Sequence, residues 1–584
     1  MSLSNKQLSI VEQIQSSKTG KFIIKACPGS GKTYTVASLL IEELRSWESS
    51  TKGIAVLSFT NKAHDEIEAK MAEHMGVKSH LRNPHFIGTF DTFFNQSVFL
   101  PFANKSLGLQ RKPELVGEPF GIWKGLSVKW SKQLFEHTNY LIDGSFAPLN
   151  LLTAGISRTV FDNCKDEIHQ MKKRVNQLGY FTQRDATYFS NYILKLKPDI
   201  TSLLARRYPY VIIDEAQDSS DISMAMIDQL MENGVKKVVI IGDPDQAIYE
   251  WNNAKPSLFW DKWSEDGWTQ LNLNESFRSS DAICNFVSAL SRDTSFVASE
   301  DNTVKYLGVK PYLEVCDLSG FSNNPDCTKE SIEHIKAKFF TLCNENNIAI
   351  NSKNVAILCR GRDDVPIIRG GEARRTYIDW KECTLKYTGE KCKAKYCFEV
   401  GDYVKAYKYW LTGNVIETKD SFTVNADDLK DYEVSNGGKR PLMKKCVLEL
   451  ASYTSILNVT IPAWIQSNLT QETGFATLGE CMAEEVFQKI IENQNKDEPF
   501  YSTIHGVKGA SFEAVLLFLK KKGASGMQYN TYIAAPTKSL KDDNTEEIRI
   551  AYVATSRPRR LLMIAVPSDH YEVWKTGFSI LISA

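Results

Sequence analysis

The chain has 584 residues, 42% apolar and 24% charged, with 70 Lys and Arg balanced by 70 Asp and Glu. These values exclude a single small domain and a disordered polyelectrolyte. Zero net charge also excludes global attraction to an anionic polymer, so any nucleic-acid contact has to come from local patches.

The first apolar run, Phe22-Ile23-Ile24, reads as a strand, and Thr35–Leu40 reads as a helix. Between them lies Ala26-Cys27-Pro28-Gly29-Ser30-Gly31-Lys32-Thr33. A strand, a small-residue loop, Lys-Thr and a helix make a phosphate cradle: loop and helix N–H groups face the phosphates. Lys32 would reach the β- and γ-phosphates, and the Thr33 hydroxyl would hold Mg²⁺. The pattern usually opens with Gly, and here Ala26 stands in that place. Taken alone, the stretch is also compatible with a glycine-rich turn bearing a solvated lysine.

Ile54–Leu57 reads as the next strand and runs into Ser58-Phe59-Thr60-Asn61-Lys62-Ala63. Residues 97–200 are rich in Phe, Trp, Leu and Lys and read as a mostly helical insertion. Tyr210-Val211-Ile212-Ile213 then delivers Asp214 and Glu215 at a strand end, where ligand sites of α/β sheets lie. Asp214 suits a Mg²⁺ shell, and Glu215 suits the water that attacks a γ-phosphate. Val238–Ile241 runs into Gly242-Asp243-Pro244-Asp245-Gln246. Short buried strands separated by helical stretches imply an α/β fold with a parallel sheet. Val355–Cys359, Ala514–Phe518 and Leu561–Val566 imply a second α/β core, interrupted by an insertion over 366–495.

No N-terminal apolar h-region is evident, and the longest apolar runs are too short to cross a bilayer, so the chain reads as cytoplasmic. The 12 cysteines are scattered, which fits reduced thiols. Cys383, Cys392 and Cys397 lack a C-x-x-C pair and a clear fourth ligand, so they read as unligated. The basic runs Lys172-Lys173-Arg174, Lys391–Lys395 and Lys520-Lys521-Lys522 are either solvated faces or phosphate contacts.

Taken in order, these segments resemble the motifs of superfamily 1 DNA helicases of the UvrD/Rep type. Leu3–Gln7 resembles the Q motif, the phosphate loop motif I, Leu57–Ala63 motif Ia, and Ile87–Phe93 motif Ib. Asp214–Asp218 resembles motif II, Gly242–Trp251 motif III, and Leu273–Ser279 motif IV. Thr503–Gly509 resembles motif V, and Tyr552–Arg559 motif VI.

The resemblance implies two RecA-like cores with inserted subdomains: 1–96 with 201–280, carrying 97–200, and 281–365 with 496–584, carrying 366–495. It implies an ATP- and Mg²⁺-dependent DNA helicase moving 3′→5′. Gln7 would read the adenine edge, and Tyr34 and Phe277 would sandwich the base. Arg278 and Arg557 would reach the γ-phosphate from the second core, and Gln246 would sense that phosphate. Phe59, Tyr249 and Trp251 match base-stacking positions; without the resemblance each reads as a core aromatic. Thr60, Asn61, Thr89 and His505 match DNA-contacting positions.

Departures are specific. Asp91 replaces a common His. Ser511 stands where a ribose-binding Glu is usual. Pro558 should stop or kink a helix after Arg557. The chain is also similar to the compact UvrD-like helicases of Gabija-type anti-phage systems, which implies an OLD-family nuclease as partner. The alternative is a nucleic-acid-stimulated ATPase subunit that regulates such a nuclease and unwinds weakly alone. A binder without hydrolysis is disfavoured by the intact Lys32, Thr33, Asp214, Glu215, Gln246, Arg278 and Arg557. No nuclease constellation is evident.

Overall fold

A computed structural model describes residues 3–59, 67, 71, 83–115, 138–148, 158–250, 253–292, 296–300, 309–316, 325–361, 364–370, 498–519 and 546–583. The chain divides into two compact units. One comprises Met1–Gly117, Gln133–Gly371 and Asp497–Ala584, and the other Glu118–Lys132 and Glu372–Lys496. Every described residue belongs to the first unit, so most of the expected insertion 366–495, with its cysteines and its lysine run, lies outside the described residues, as does Lys520-Lys521-Lys522.

The first unit holds two parallel sheets. The first is built from β1 (Gly20–Ala26), β2 (Ile54–Ser58), β3 (Phe86–Thr89), β4 (Tyr210–Asp214), β5 (Lys237–Gly242) and β6 (Trp268–Leu273), in the order β6-β1-β5-β4-β2-β3. The second is built from β7 (Tyr312–Val315), β8 (Val355–Cys359), β9 (Phe500–Thr503), β10 (Phe512–Phe518) and β11 (Pro558–Val566), in the order β7-β11-β10-β8-β9. The α/β class expected from the sequence is the class observed.

The aliphatic runs follow from burial on both sheet faces. Side chains alternate along a strand. Ile23, Leu57, Ile213 and Ile240 therefore enter one core, while Ile24, Val56, Ile212 and Ile241 enter the opposite one. The second sheet does the same, with Leu358, Leu517 and Ile564 on one face and Ile357, Leu516 and Met563 on the other. Each such side chain contributes about 1.5–3 kcal/mol. Parallel pairing places every strand's carboxyl end on one edge, where Ala26, Ser58 and Asp214 end their strands.

Two helices frame the first edge, α1 (Asn5–Ser16) and α2 (Lys32–Arg45). Within 97–200 the described residues are mainly helical, including α3 (Arg158–Gln177) and α4 (Gln183–Leu196). They also contain two small strand pairs the composition did not indicate: Glu114–Leu115 with Tyr180–Phe181, and the hairpin Thr138–Tyr140 with Phe146–Pro148. In the second half, α5 (Asp281–Leu290) packs on β11, α6 (Glu546–Thr555) packs on β10, and the two helices pack on each other.

The lysine run of α3 divides. Lys172 is a core residue, 2.7 Å from Asp185, with both side chains sealed from solvent. Asp185 also closes a capping box with Thr182 at the start of α4. Removing one member of a sealed ion pair leaves an uncompensated charge. Asp185→Ala should therefore cost about 3–5 kcal/mol, read as a lower midpoint in chemical denaturation.

Candidate nucleotide-binding cleft

The loop after β1 needs glycine at two positions. Gly29 and Gly31 have φ of 75° and 74°, in the left-handed region. A Cβ on Gly29 would sit 2.5 Å from the Arg278 Cβ and 2.8 Å from the Ser276 Oγ. The loop is therefore pressed against the segment that follows β6. Ser276 Oγ donates to the Pro28 carbonyl at 2.8 Å, and the Phe277 N–H donates to the Gly29 carbonyl at 2.9 Å. On the other side, Gln7 Nε2 donates to the Ser30 carbonyl at 3.0 Å. Gly31 is the N-cap of α2 and offers no side-chain cap, so the helix start faces the loop cavity with its backbone.

Ala26 and Cys27 are buried, and the Cys27 thiol is pushed well above its usual pKa, mainly by burial and then by Asp243. A protonated thiol is no nucleophile, so Cys27 acts as loop packing. Tyr34, in the first turn of α2, lies beside Gly31, and the Phe277 side chain is exposed.

Below the loop, the carboxylates form a connected network. Asp214 is fully buried and its Oδ1 accepts the Glu215 N–H at 2.9 Å. Glu215 takes a left-handed φ of 54°. Lys32 Nζ lies 3.4 Å from Glu215 Oε1, and Gln217 Nε2 donates to Glu215 Oε2. Gln217 Oε1 in turn accepts the Asp243 N–H at 3.0 Å. Burial opposes ionisation of Glu215, yet Lys32 and then Lys508 hold its carboxyl below the usual range. Asp243 goes the other way: burial raises it despite Lys32, and Asp245 adds to the rise. Glu215 is thus the ionised partner of Lys32.

The second sheet delivers Arg557 from the turn between α6 and β11. Its side chain is sealed, and Nη2 donates to Gln246 Oε1 at 2.8 Å. Gln246 Nε2 donates to Asp243 Oδ2 at 2.6 Å. Arg278 follows the short strand Glu275–Ser276, which pairs with Val297–Ala298 in a two-stranded sheet of its own. Its Nη1 reaches the Ser556 carbonyl at 3.0 Å, next to Arg557. α6 ends at Thr555 and Pro558 opens β11, so the proline falls after the helix has stopped. Near Ser511, Glu513 is engaged by Arg559 at 3.6 Å.

The other expected contacts separate into groups. Tyr249 and His505 come from the two sheets, and their rings lie 6.4 Å apart. Phe59 is half-buried and stacks on Phe90 with centroids 5.1 Å apart, so one ring face is taken by the core. Thr89 caps the short helix Phe90–Phe94 by accepting the Thr92 N–H. Thr60, Asn61 and Trp251 lie outside the described residues.

Several contacts were not anticipated. Lys508 bridges to Asp218, Arg549 Nε donates to the Ala247 carbonyl at 2.6 Å, and Arg549 pairs with Glu250. The motif matches contained most of these residues, but no spacing rule pairs side chains about 290 positions apart. Among the described residues, no group of three or more His, Cys, Asp or Glu is placed to hold a metal, and no helix is long and apolar enough to cross a membrane.

Residues 4–265 match the UvrD/REP helicase N-terminal domain. The chain is 28% identical over 297 residues to the Gabija protein GajB of Bacillus cereus (strain VD045), covering 49% of each chain. It is 24% identical over 290 residues to the ATP-dependent DNA helicase Rep of Buchnera aphidicola subsp. Schizaphis graminum, covering 48% of this chain and 42% of that one. With the Rep helicase of Escherichia coli K12 it shares 22% over 251 residues, covering 41% and 36%. The chain thus spans half or less of the length of these relatives. In its loop, strand-end carboxylates and paired parallel sheets the chain is similar to the UvrD-like superfamily 1 helicases, whose N-terminal domain residues 4–265 match.

Proposed function

We propose that the protein is an ATP-dependent motor that hydrolyses ATP with Mg²⁺ and moves 3′→5′ along single-stranded DNA, opening tailed duplexes. The observation that best supports this reading is the hydrogen bond from Arg557 to Gln246, which joins a motif of the second sheet to a strand end of the first. Phosphoryl transfer spreads charge over the γ-phosphoryl oxygens, and cations stabilise it. Lys32, Arg278 and Arg557 supply such cations from the two sides of the loop. Ala26, Cys27, Pro28, Gly29, Ser30 and Gly31 would wrap the phosphates. Gln7, Tyr34 and Phe277 would hold the base.

Thr33 and Asp214 fit Mg²⁺, a hard cation that takes one or two protein oxygens plus phosphate oxygens. Asp214 is a buried carboxylate beside the Lys32 ammonium, which suits a site for a cation and phosphates together. The ion would neutralise phosphate charge when bound. Glu215 would orient the attacking water and accept its proton, once nucleotide draws Lys32 away from it. Gln246 would exchange its contact with Arg557 for the γ-phosphate, so occupancy of the cleft would alter the junction between the sheets.

On the DNA side, Tyr249, Trp251 and Phe59 would stack on bases, while Thr60, Asn61, Thr89 and His505 would contact the backbone. Such stacking tolerates any sequence, as a motor requires. The protein would act in the cytoplasm, in anti-phage defence or DNA repair.

The likeness to a relative named as a Gabija protein favours a second reading. There the ATPase regulates a partner nuclease of the OLD family and unwinds weakly alone. Strand displacement on 3′- and 5′-tailed duplexes, with and without the neighbouring gene product, separates the two. Opening of the 3′-tailed duplex by the lone protein supports the motor. Intact ATP turnover with displacement only in the partner's presence supports the second reading.

Two substitutions test the residues. Lys32→Ala should lower ATP turnover by about 10²-fold or more and leave single-strand affinity largely intact. Tyr249→Ala should weaken oligo-dT binding by about 1–3 kcal/mol with little change in ATP affinity. Unchanged oligo-dT binding would make Tyr249 a packing residue.

A further inference from the structure

A cavity of about 20 Å³ has Ala26 and Cys27 of the phosphate loop in its wall. That volume admits one water-sized particle. Its polar wall is drawn from both halves of the unit. Asp243 and Asp245 come from the turn after β5, Asn274 from the end of β6, Ser291 from the end of α5 and Tyr552 from α6.

Asp245 is the unsatisfied member. It is 5% exposed. Its Oδ2 accepts from Ser291 Oγ at 2.6 Å and from the Arg292 N–H at 3.0 Å, whereas its sealed Oδ1 meets no hydrogen-bond donor. The neighbouring cations rest on indoles instead. The Lys25 ammonium lies 5.6 and 5.4 Å from the ring centres of Trp260 and Trp263, and the Arg292 guanidinium lies 4.9 Å from that of Trp260. Burial raises both Asp243 and Asp245, and Asp245 adds to the rise of Asp243. Burial, then Asp243 and Asp245, also push the Tyr552 hydroxyl well above its usual range. Two sealed carboxylates around one small cavity call for positive charge, because an uncompensated buried charge is costly.

We propose that the cavity binds a monovalent cation of potassium's size, held by Asp245 Oδ1, with Asn274, Ser291 and Tyr552 supplying neutral oxygens. Carboxylate, amide and hydroxyl oxygens suit a hard cation. A divalent ion fits less well. Mg²⁺ keeps several waters, for which there is no room, and Ca²⁺ takes six to eight oxygens. Among the described residues, no group of three His, Cys, Asp or Glu gathers to hold such an ion. A water would satisfy Oδ1 and would accept from Trp260 Nε1, which is also sealed without a partner, but it supplies no charge.

The wall shows what the ion does. The Cys27 N–H donates to the Leu273 carbonyl at 2.9 Å, beside Asn274, so the loop and the end of β6 are one piece. Asp245 ties the turn after β5 to Ser291 and Arg292. An ion between these pieces completes the wall on which Ala26 and Cys27 rest, and so braces the phosphate loop. Binding of the ion does not depend on the activity proposed above; its effect on ATP rests on that reading.

The test uses the full chain in mixtures of KCl and choline chloride at one ionic strength. The melting temperature should rise by about 2 °C for each tenfold increase in KCl above half-saturation. Asp245→Asn should abolish this dependence, and Ser291→Ala should raise the half-saturating KCl about fivefold. Wild-type crystals grown in rubidium chloride should show an anomalous peak against Asp245 Oδ1, a readout that needs no variant to fold. ATP affinity at saturating Mg²⁺ should be about two- to fivefold tighter in KCl than in choline chloride.

Equal wild-type melting temperatures in the two salts, or no rubidium peak, would overturn the proposal and leave a water as the occupant. A rubidium peak with equal ATP affinity in the two salts would overturn the bracing of the loop. Absence of ATP binding in both salts would instead overturn the nucleotide reading. The ion site is then decided by melting temperature and rubidium alone.

Discussion

Arg557 is the constraint on which the cleft depends. A guanidinium sealed from solvent is tolerated only when its donors are satisfied. This one is met by the Val553 and Ala510 carbonyls and Ser556 Oγ on its own side, and by Gln246 Oε1 across the junction. The last contact turns a folding requirement into a link between sheets. Gln246 then transmits to Asp243, Asp243 to Gln217, and Gln217 to Glu215, each by a direct hydrogen bond. The chain of contacts ends at Lys32, in the loop after β1.

Much of the fold was legible in the sequence because strands buried on both faces have few options. Val238–Ile241 and Tyr210–Ile213 are runs of bulky apolar residues that only a parallel α/β sheet accommodates easily. The loop was legible for a similar reason: Gly29 and Gly31 sit where any side chain would be strained or would collide. The carrier of Arg278 was not legible, since sequence order places it near the boundary between the sheets without saying which strand it follows. Lys172 escaped for another reason: it lies in a basic run and looks solvated until Asp185, thirteen positions later, is seen to seal it. That aspartate is also the N3 residue of the capping box opened by Thr182, so it serves both the helix start and the ion pair.

The departures from the family pattern have local explanations. Pro558 is harmless because α6 has already ended and the proline opens a strand. Asp91, in place of a usual His, accepts a hydrogen bond from Thr187 of α4 at 3.1 Å. It ties the helix after β3 to the helical segment inserted before β4.

The second sheet has a further consequence for how the protein is made. β8 and β9 are direct neighbours, with Cys359 opposite Thr503, and β11 lies between β7 and β10. Such non-local parallel pairings are slow to form, because long loops have to close before any contact rewards them. During synthesis the first sheet and its phosphate loop can be complete while the second has only β7 and β8. A nascent chain at that stage carries the loop but lacks Arg557. The cleft therefore acquires its last arginine only when β11 joins the second sheet, after the long chain excursion between β8 and β9.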